Sequence, residues 1–570
     1  MQQDFYSGLP KRMSIALDKL FTSKNWDYSD PEFRRKKHVI HAVQSDYVRL
    51  PVDATEAQIF QCADYMIKQV YAYAAKYQVD SLVVDGVCML CRQMGIPGPQ
   101  GTDYKEQIAR AVDRAWWIRS LRKEHARRFE HVAIQLGFTS YKAGVYISNE
   151  SAIRQRKRNQ ENAALLAKTE LQNENGQVYT LEELSALGTS NKAIRRGELM
   201  TRIRGFEEIA KDLKHVGMFW TITCPSKFHA VLSKSGDSNP AYQGASPREA
   251  QAYLCKVWAR IRAALKRNNI HPYGFRIAEP HHDGCPHWHM LLFVAPEQAP
   301  EMEKIIRKHA LAEDGMEKGA AENRVKLVEI EAGKGSAAGY IAKYVAKNID
   351  GEHVGDHKTN EGWVVVPDML GNEEITPSQR VTFWSQLHGI RQFQQIGGAP
   401  VTVWRELRRV KYDAVLHAPE NIKLAWAAVQ RNGDSLASYA DFTNAIGGVS
   451  SGRRYTVRIA SRDVEIAGKY ATYTDKRPCG VYSLGNPNAI YESTRYQWTR
   501  VDKKGGGVAF DLPWTGVNNC TEKKQATGAD TEIFIKELKE KVENVRSGKV
   551  KIQCHGKSLE EFVKNWRNRE

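Results

Sequence analysis

The spacing of hydrophobic and polar positions changes several times along this chain, and each change marks a new element. From Thr55 to Leu136, apolar residues recur at three- and four-residue steps, as in ATEAQIFQCADYMIKQVYAYAAKY, which predicts amphipathic helices. GIPGPQGTDY is a loop of helix breakers between them. Helical spacing continues through SAIRQRKRNQENAALLAKTELQ, is interrupted by the turn-like Asn173 to Gly176, and resumes in NKAIRRGELMTRIRGFEEIAKDL, which feeds a strand at Met218. Ser246 to Glu249 is a capping box with proline in the first turn, opening the helix AQAYLCKVWARIRAALKR. The runs Phe275 to Glu279 and His287 to Phe293 flank His-His-Asp-Gly-Cys-Pro, the pattern of a β-hairpin. A helix (EQAPEMEKIIRKHALAE), a strand (RVKLVEIE) and a second helix (Gly335 to Asp350) complete the unit. Antiparallel strands with helices on one side predict an α+β palm of ferredoxin-like type.

The flanks read differently. Residues 1–50 are polar and irregular, 51–214 form an all-α module, and the palm occupies 215–350. A helical region follows over 351–450, with helices near Ser378 to Gln394, Val403 to Tyr412 and Ile422 to Gln430. A small β-rich, aromatic domain spans 451–515, and 516–570 is a charged helical tail.

A chain of 570 residues is too long for one core. Its formal charge of +17 suits a polyanionic partner. Basic residues cluster at Arg34 to Lys37, along Arg119, Arg122, Lys123, Arg127 and Arg128, which form either a solvated face or a DNA-backbone contact, and at Arg154, Arg156, Lys157 and Arg158; DNA binding and protein docking both fit the helical module. Trp384, Arg391, Gln392, Gln394 and Gln395 could lie along single-stranded DNA, although buried Trp and surface Gln are commoner. Arg453, Arg454, Arg458, Tyr473, Tyr482, Arg495, Tyr496 and Trp498 suit a stacking sheet or a plain β-domain equally. Nine cysteines without framework spacing fit reduced thiols, and Cys88 and Cys91 read as a buried helical pair. Neither a signal peptide nor a membrane span is evident, so a soluble, cytoplasmic protein is expected.

The chemistry concentrates at the hairpin. Side chains alternate faces along a strand, so His287 and His289 project together, and Glu279 on the paired strand reaches the same face. Two imidazoles and a carboxylate make a divalent-metal site with open positions. His281 and His282 in the turn are rival third ligands, with Glu279 favoured on strand geometry. Mixed N and O ligands suit Mg²⁺ or Mn²⁺, and zinc stays open. In the helix at Gly335 to Asp350, Tyr340, Lys343, Tyr344 and Lys347 share one stripe, while Ile341 and Val345 share another that is apolar. A phenol attacks only an activated electrophile, such as a metal-polarised phosphodiester. The lysines favour phenolate and offset phosphate charge.

These residues also carry a resemblance. His287-Trp288-His289 resembles the His-hydrophobe-His motif of the HUH endonucleases, and Tyr340-Ile-Ala-Lys-Tyr344 their two-tyrosine motif. Met218 to Pro225 resembles the first signature strand of that domain. With GIRQFQQIGG and VWRELRR, the wording is similar to the bacteriophage replication gene A protein family, from about Lys142 to about Arg409. The resemblance implies an HUH palm and initiation of rolling-circle replication. In that reaction a tyrosine nicks single-stranded origin DNA, leaving a 5′-phosphotyrosine and a 3′-OH that primes host polymerase. The second tyrosine then cleaves the regenerated origin and the strands are rejoined. The sequence holds no Walker-type loop, so a host helicase is the expected unwinding partner. A two-tyrosine transposase of the same fold, or a non-catalytic basic DNA-binding factor with a structural metal, are the alternatives. A conjugative relaxase fits less well, because its motifs usually occur in reverse order.

Overall fold

The structure is a computed structural model, and it describes residues 6–24, 29–46, 48–232, 235–330, 339, 341, 345, 375–430 and 436–501. Two compact units are present: one holds the chain up to Leu136 with Glu465–Asp475, the other Gly137–Val464 and Lys476–Val501. No described helix is long and apolar enough to cross a membrane.

Among its described residues the first unit has six helices: Lys11–Ser23, Pro31–Ser45, Glu56–Lys76, Asp80–Gln93, Tyr104–Ala111 and Arg114–Leu136. The first two replace the irregular segment expected there. Their polar composition hid a proper start, since Asp30 caps the second by accepting from the backbone of Glu32 and Phe33. The Arg34 to Lys37 cluster is split, because Lys36 is buried and donates to the Leu136 carbonyl at 2.6 Å. A core of Cys62, Met66, Val70, Leu90, Cys91, Trp117 and Leu121 holds the unit. Burial, then Cys88, pushes the Cys91 thiol up to about 12, as expected of an inert core cysteine. The basic side chains of Arg114–Leu136 are spent internally: Arg114 pairs with Asp64, Arg122 with Glu56 and Arg128 with Asp46.

In the second unit, the Asn149–Lys168 helix carries Arg154 and Arg156 half-buried, with Lys157 and Arg158 exposed. It is followed by a hairpin, β1 (Glu170–Asn173) and β2 (Val178–Thr180), so this region is not all-α. Asn173 makes the turn: its side-chain oxygen accepts from Asn175 and Gln177, an Asx device that competes with helix.

The central sheet comprises β3 (Val216–Thr223), β4 (Tyr273–Pro280), β5 (Pro286–Val294), β6 (Val325–Ile330) and β7 (Phe393–Ile396). It is antiparallel throughout, in the order β6-β3-β5-β4-β7. Every residue of β4 and β5 is buried. Helices cover both faces rather than the one expected, and Met290 to Val294, apolar at both parities, is the mark of a two-sided strand. One face packs Phe219, Tyr273, Phe275, Leu291 and Phe293 against Leu199, Ile203, Phe206 and Ile209 of the Lys192–Asp212 helix. On the other face Trp288 donates to Gln251 of the Pro247–Arg267 helix at 3.0 Å. There Arg276 stacks 4.3 Å over the Trp288 ring and Arg307 of Ala299–Ala310 lies 6.0 Å over Trp220.

The helix expected to reach Gln394 stops at His388, because Gly389 adopts a left-handed φ of 65° and ends it. The chain then turns into β7, whose Phe393 pairs with Ile277. Trp384 is wholly buried and donates to the Gly284 carbonyl at 2.8 Å, and Gln395 is tied to Arg202, Tyr439, Gly397 and Ala399. Both are framework, not a DNA track. The following helices are Val401–Leu407, Tyr412–Val415, Glu420–Val429 and Tyr439–Ala445. The β-rich region forms a sheet of β8 (Val457–Ala467), β9 (Thr472–Ser483) and β10 (Asn486–Glu492), while β11 (Trp498–Arg500) joins β1. Arg495 pairs with buried Glu406 at 2.5 Å and Trp498 is buried, so neither serves as a stacking surface.

Gly274 makes a sharp test of the β4–β5 pairing. Its φ is 153°, and an added Cβ would lie 1.9 Å from the Leu291 carbonyl oxygen. Gly274→Ala is expected to destabilise the unit by more than about 2 kcal/mol in urea unfolding. Gly197, inside Lys192–Asp212, has nothing within 4 Å of an added Cβ, and Gly197→Ala should stabilise by about 0.5–1 kcal/mol.

Candidate metal centre

The centre follows from register. On β5, His287 and His289 share a face; Glu279 of β4 lies opposite His287, and Thr221 of β3 opposite His289. The two imidazole Nε2 atoms are 2.9 Å apart, and Glu279 Oε2 is 3.7 Å from His289 Nε2. One ligand atom from each of the three residues falls within 4.8 Å of the others. An ion with bonds of roughly 2.1 Å fits such a set, since adjacent ligands in octahedral coordination then stand about 3 Å apart. The three residues are at most 9% exposed, so a charge placed there is only weakly screened by solvent.

Two neighbours orient His289. Thr221 Oγ1 is 3.0 Å from its Nδ1, and the Phe219 ring stacks on it at 5.7 Å. If Nδ1 carries the proton and donates to Thr221, Nε2 presents its lone pair to the centre. Thr221 had no role assigned from sequence; its signal was period-2 alternation in β3, which needed the β3–β5 register to be interpreted.

The turn histidines have separate places. The His281 ring lies 4.0 Å from that of His287, tilted by 37°, and meets His229 edge-on at 5.0 Å. Burial, reinforced by His229, pushes its pKa down to about 3, so it is neutral at ordinary pH. His282 packs between Tyr141 and Tyr146, and its carbonyl accepts from the Tyr146 amide. Asp283 anchors the turn: one oxygen accepts from His229 Nδ1 and the Ala230 amide, the other from the Cys285 amide. Burial alone would raise its pKa, but His229 and these hydrogen bonds bring it down to about 2.

Tyr340, Lys343, Tyr344 and Lys347 lie outside the described residues. Their neighbours in sequence Ile341 and Val345 are described, and both are buried in the cluster that contains Phe219, Phe275, Ile277, Leu291 and Phe293. Ile277 is the register partner of His289, so this core includes the sheet face that bears the histidines.

The family model of the bacteriophage replication gene A protein matches residues 55–352. The chain belongs to that family. It is 38% identical over 434 residues to the replication gene A protein of Escherichia phage 186, covering 73% of this chain and 60% of that protein. Over 307 residues it is 41% identical to the replication protein of Haemophilus phage HP1, covering 53% of this chain and 38% of the relative. A "probable replication endonuclease from prophage-like region" of Salmonella paratyphi A is 31% identical over 442 residues, 74% of this chain and 54% of the relative. The chain thus spans well under two thirds of these curated relatives. No solved structure matches it.

The Asp283 anchor gives a stability prediction. Asp283→Asn removes the charge that His229 and two amides face, at an expected cost of about 2 kcal/mol near neutral pH by denaturant unfolding. The folded pKa is depressed, so this contribution is complete above the ordinary carboxylate range and is lost as pH falls towards about 2. The gap between wild type and variant should therefore narrow on acidification, and a gap independent of pH would contradict the anchor.

Proposed function

We propose that this chain is a rolling-circle replication initiator, a single-strand endonuclease and strand transferase whose five-stranded sheet is an HUH palm. One observation carries the reading. Glu279, His287 and His289 converge on the sheet face whose apolar core also contains the buried Ile341 and Val345, residues interleaved in sequence with Tyr340 and Tyr344. The family's replication names, and the endonuclease name of the Salmonella relative, support it. In this reading the working domain is 215–350 with β7, Phe393–Ile396, completing its sheet, in a protein acting in the cytoplasm of a bacterial host.

Glu279, His287 and His289 hold a divalent ion, Mg²⁺ or Mn²⁺, which supplies charge to a phosphodiester oxygen. The chain's own groups do the rest. Thr221 and Phe219 fix the His289 ring, and Lys343 and Lys347 stabilise the phenolate and offset phosphate charge. The phenolic oxygen of Tyr340 or Tyr344 attacks phosphorus, forming the O–P bond of a 5′-phosphotyrosine. The P–O3′ bond breaks, and the released 3′ oxygen ends as a hydroxyl carrying the proton equivalent to the one lost by the phenol. Bond number is conserved, so the reverse attack by a 3′-OH rejoins DNA without ATP. The 3′-OH primes host polymerase behind a host helicase, and the second tyrosine serves termination.

The test is a denaturing gel of the protein incubated with labelled single-stranded origin DNA and Mn²⁺. Tyr340→Phe and Tyr344→Phe should each leave some covalent adduct, and the double variant none; adduct from the double variant would place the nucleophile elsewhere. His287→Ala or His289→Ala at limiting Mn²⁺ should lower cleavage by about 10³-fold, the equivalent of several kcal/mol of lost charge stabilisation. Undiminished cleavage would remove the metal from the mechanism.

A further inference from the structure

We infer that the outer face of the Pro247–Arg267 helix, with Lys308 of the adjacent Ala299–Ala310 helix, docks the phosphate backbone of duplex DNA. The inner side of the helix, with Leu254, Val257, Trp258 and Ile261, is buried. Its outer side exposes Lys256, Arg260, Arg262, Lys266 and Arg267. Among the described residues, none of these five, nor Lys308, has a side-chain hydrogen bond or ion pair. That is unlike the Arg114–Leu136 helix, where the arginines meet carboxylates.

The acids nearest to this face are already engaged. Glu249 closes the capping box with Ser246, Glu313 holds Lys227, Glu301 pairs with Lys304, and Glu303 with Arg307. The cations of the two helices also act on a common point. His309 is pushed below its ordinary value by burial first, then by Lys308, Arg260 and Arg267. The C-terminal helix dipole gives Lys266 and Arg267 a local reason to be there, but it does not extend to Lys256, Arg260 or Arg262. Unopposed positive charge at this density repels itself, and a polyanion that releases counterions relieves it.

The texture of the surface selects the duplex. Between the cations the exposed residues of the helix are Ala252, Cys255, Ala259 and Ala263; Trp258 points inward and is 6% exposed, and the aromatic beside Lys256 and Arg260, Phe228, is half-buried, so the helix presents no row of open rings for unpaired bases. Lys256 and Arg267 stand about 16 Å apart along the helix, a span of a few phosphates. The helix packs on the sheet face opposite the histidines, so the strand engaged at the metal centre does not occupy it. The occupant is DNA beyond the cleaved segment. The inference rests on the proposal that the chain works on DNA.

The full chain carrying Lys256→Gln, Arg260→Gln, Arg262→Gln and Arg267→Gln tests it, with Lys at the three arginine positions as the charge-preserving control. Binding to a duplex of arbitrary sequence is followed by fluorescence anisotropy across a salt series, beside nicking of a short single-stranded oligonucleotide. The glutamine variant should bind duplex at least about tenfold more weakly. Its log–log salt slope should be shallower by about 2–4, at roughly 0.9 per phosphate contact. The lysine control should keep the wild-type slope, and nicking of the short oligonucleotide should not change. Equal slopes in wild type and glutamine variant, with both folded by thermal melting, would overturn the inference. A reduced slope with no nicking by any protein would uphold the docking face and reject the proposed reaction.

Discussion

Antiparallel pairing of β4 with β5 is the constraint on which the rest depends. Because side chains alternate, the pairing of Glu279 with His287 and of Ile277 with His289 puts polar groups and core on one face in a single stroke. A slip of one residue would send both histidines to the face that packs Trp288 and Met290, and would bring Arg276 and Ala278 to the centre. Gly274 holds the register at the far end through the close approach of Leu291, and Asp283 holds it at the turn.

A cluster of two imidazoles and a carboxylate this well buried is costly unless its members are satisfied. The sheet supplies partners in layers. Thr221 faces His289, His281 packs tilted against His287, and His229 with Asp283 closes the outside of the turn. Below this polar end, the same face becomes aromatic and aliphatic, and its Phe219, Phe275 and Leu291 share one core with Ile341 and Val345. One core thus underlies the ligand set and contains the buried Ile341 and Val345.

Local pattern made much of this legible. The hairpin, its turn and the shared face of Glu279, His287 and His289 follow from period-2 alternation and turn chemistry alone, and the apolar stripe of Ile341 and Val345 follows from helical spacing. What escaped depends on residues far apart in the chain. Thr221 gains its role from a partner 68 positions away, and β7 exists because Gly389 stops a helix and β4 offers an edge. Lys36 looked like part of a basic surface until the Leu136 carbonyl buried it. Helix coverage of both faces was written in Met290 to Val294, but a run apolar at both parities is ambiguous without its neighbours.

The central claim is that Glu279, His287 and His289 hold one divalent ion. Pulsed electron paramagnetic resonance of Mn²⁺ added to the protein with ¹⁵N-labelled histidine addresses it most directly, because it counts nitrogens bound to the metal. The account predicts one Mn²⁺ per chain with two coordinated imidazoles, one of them lost in His287→Ala and one in His289→Ala, and neither lost in His281→Phe. Two coordinated nitrogens that survive both alanine substitutions, or one that disappears with His281, would contradict it.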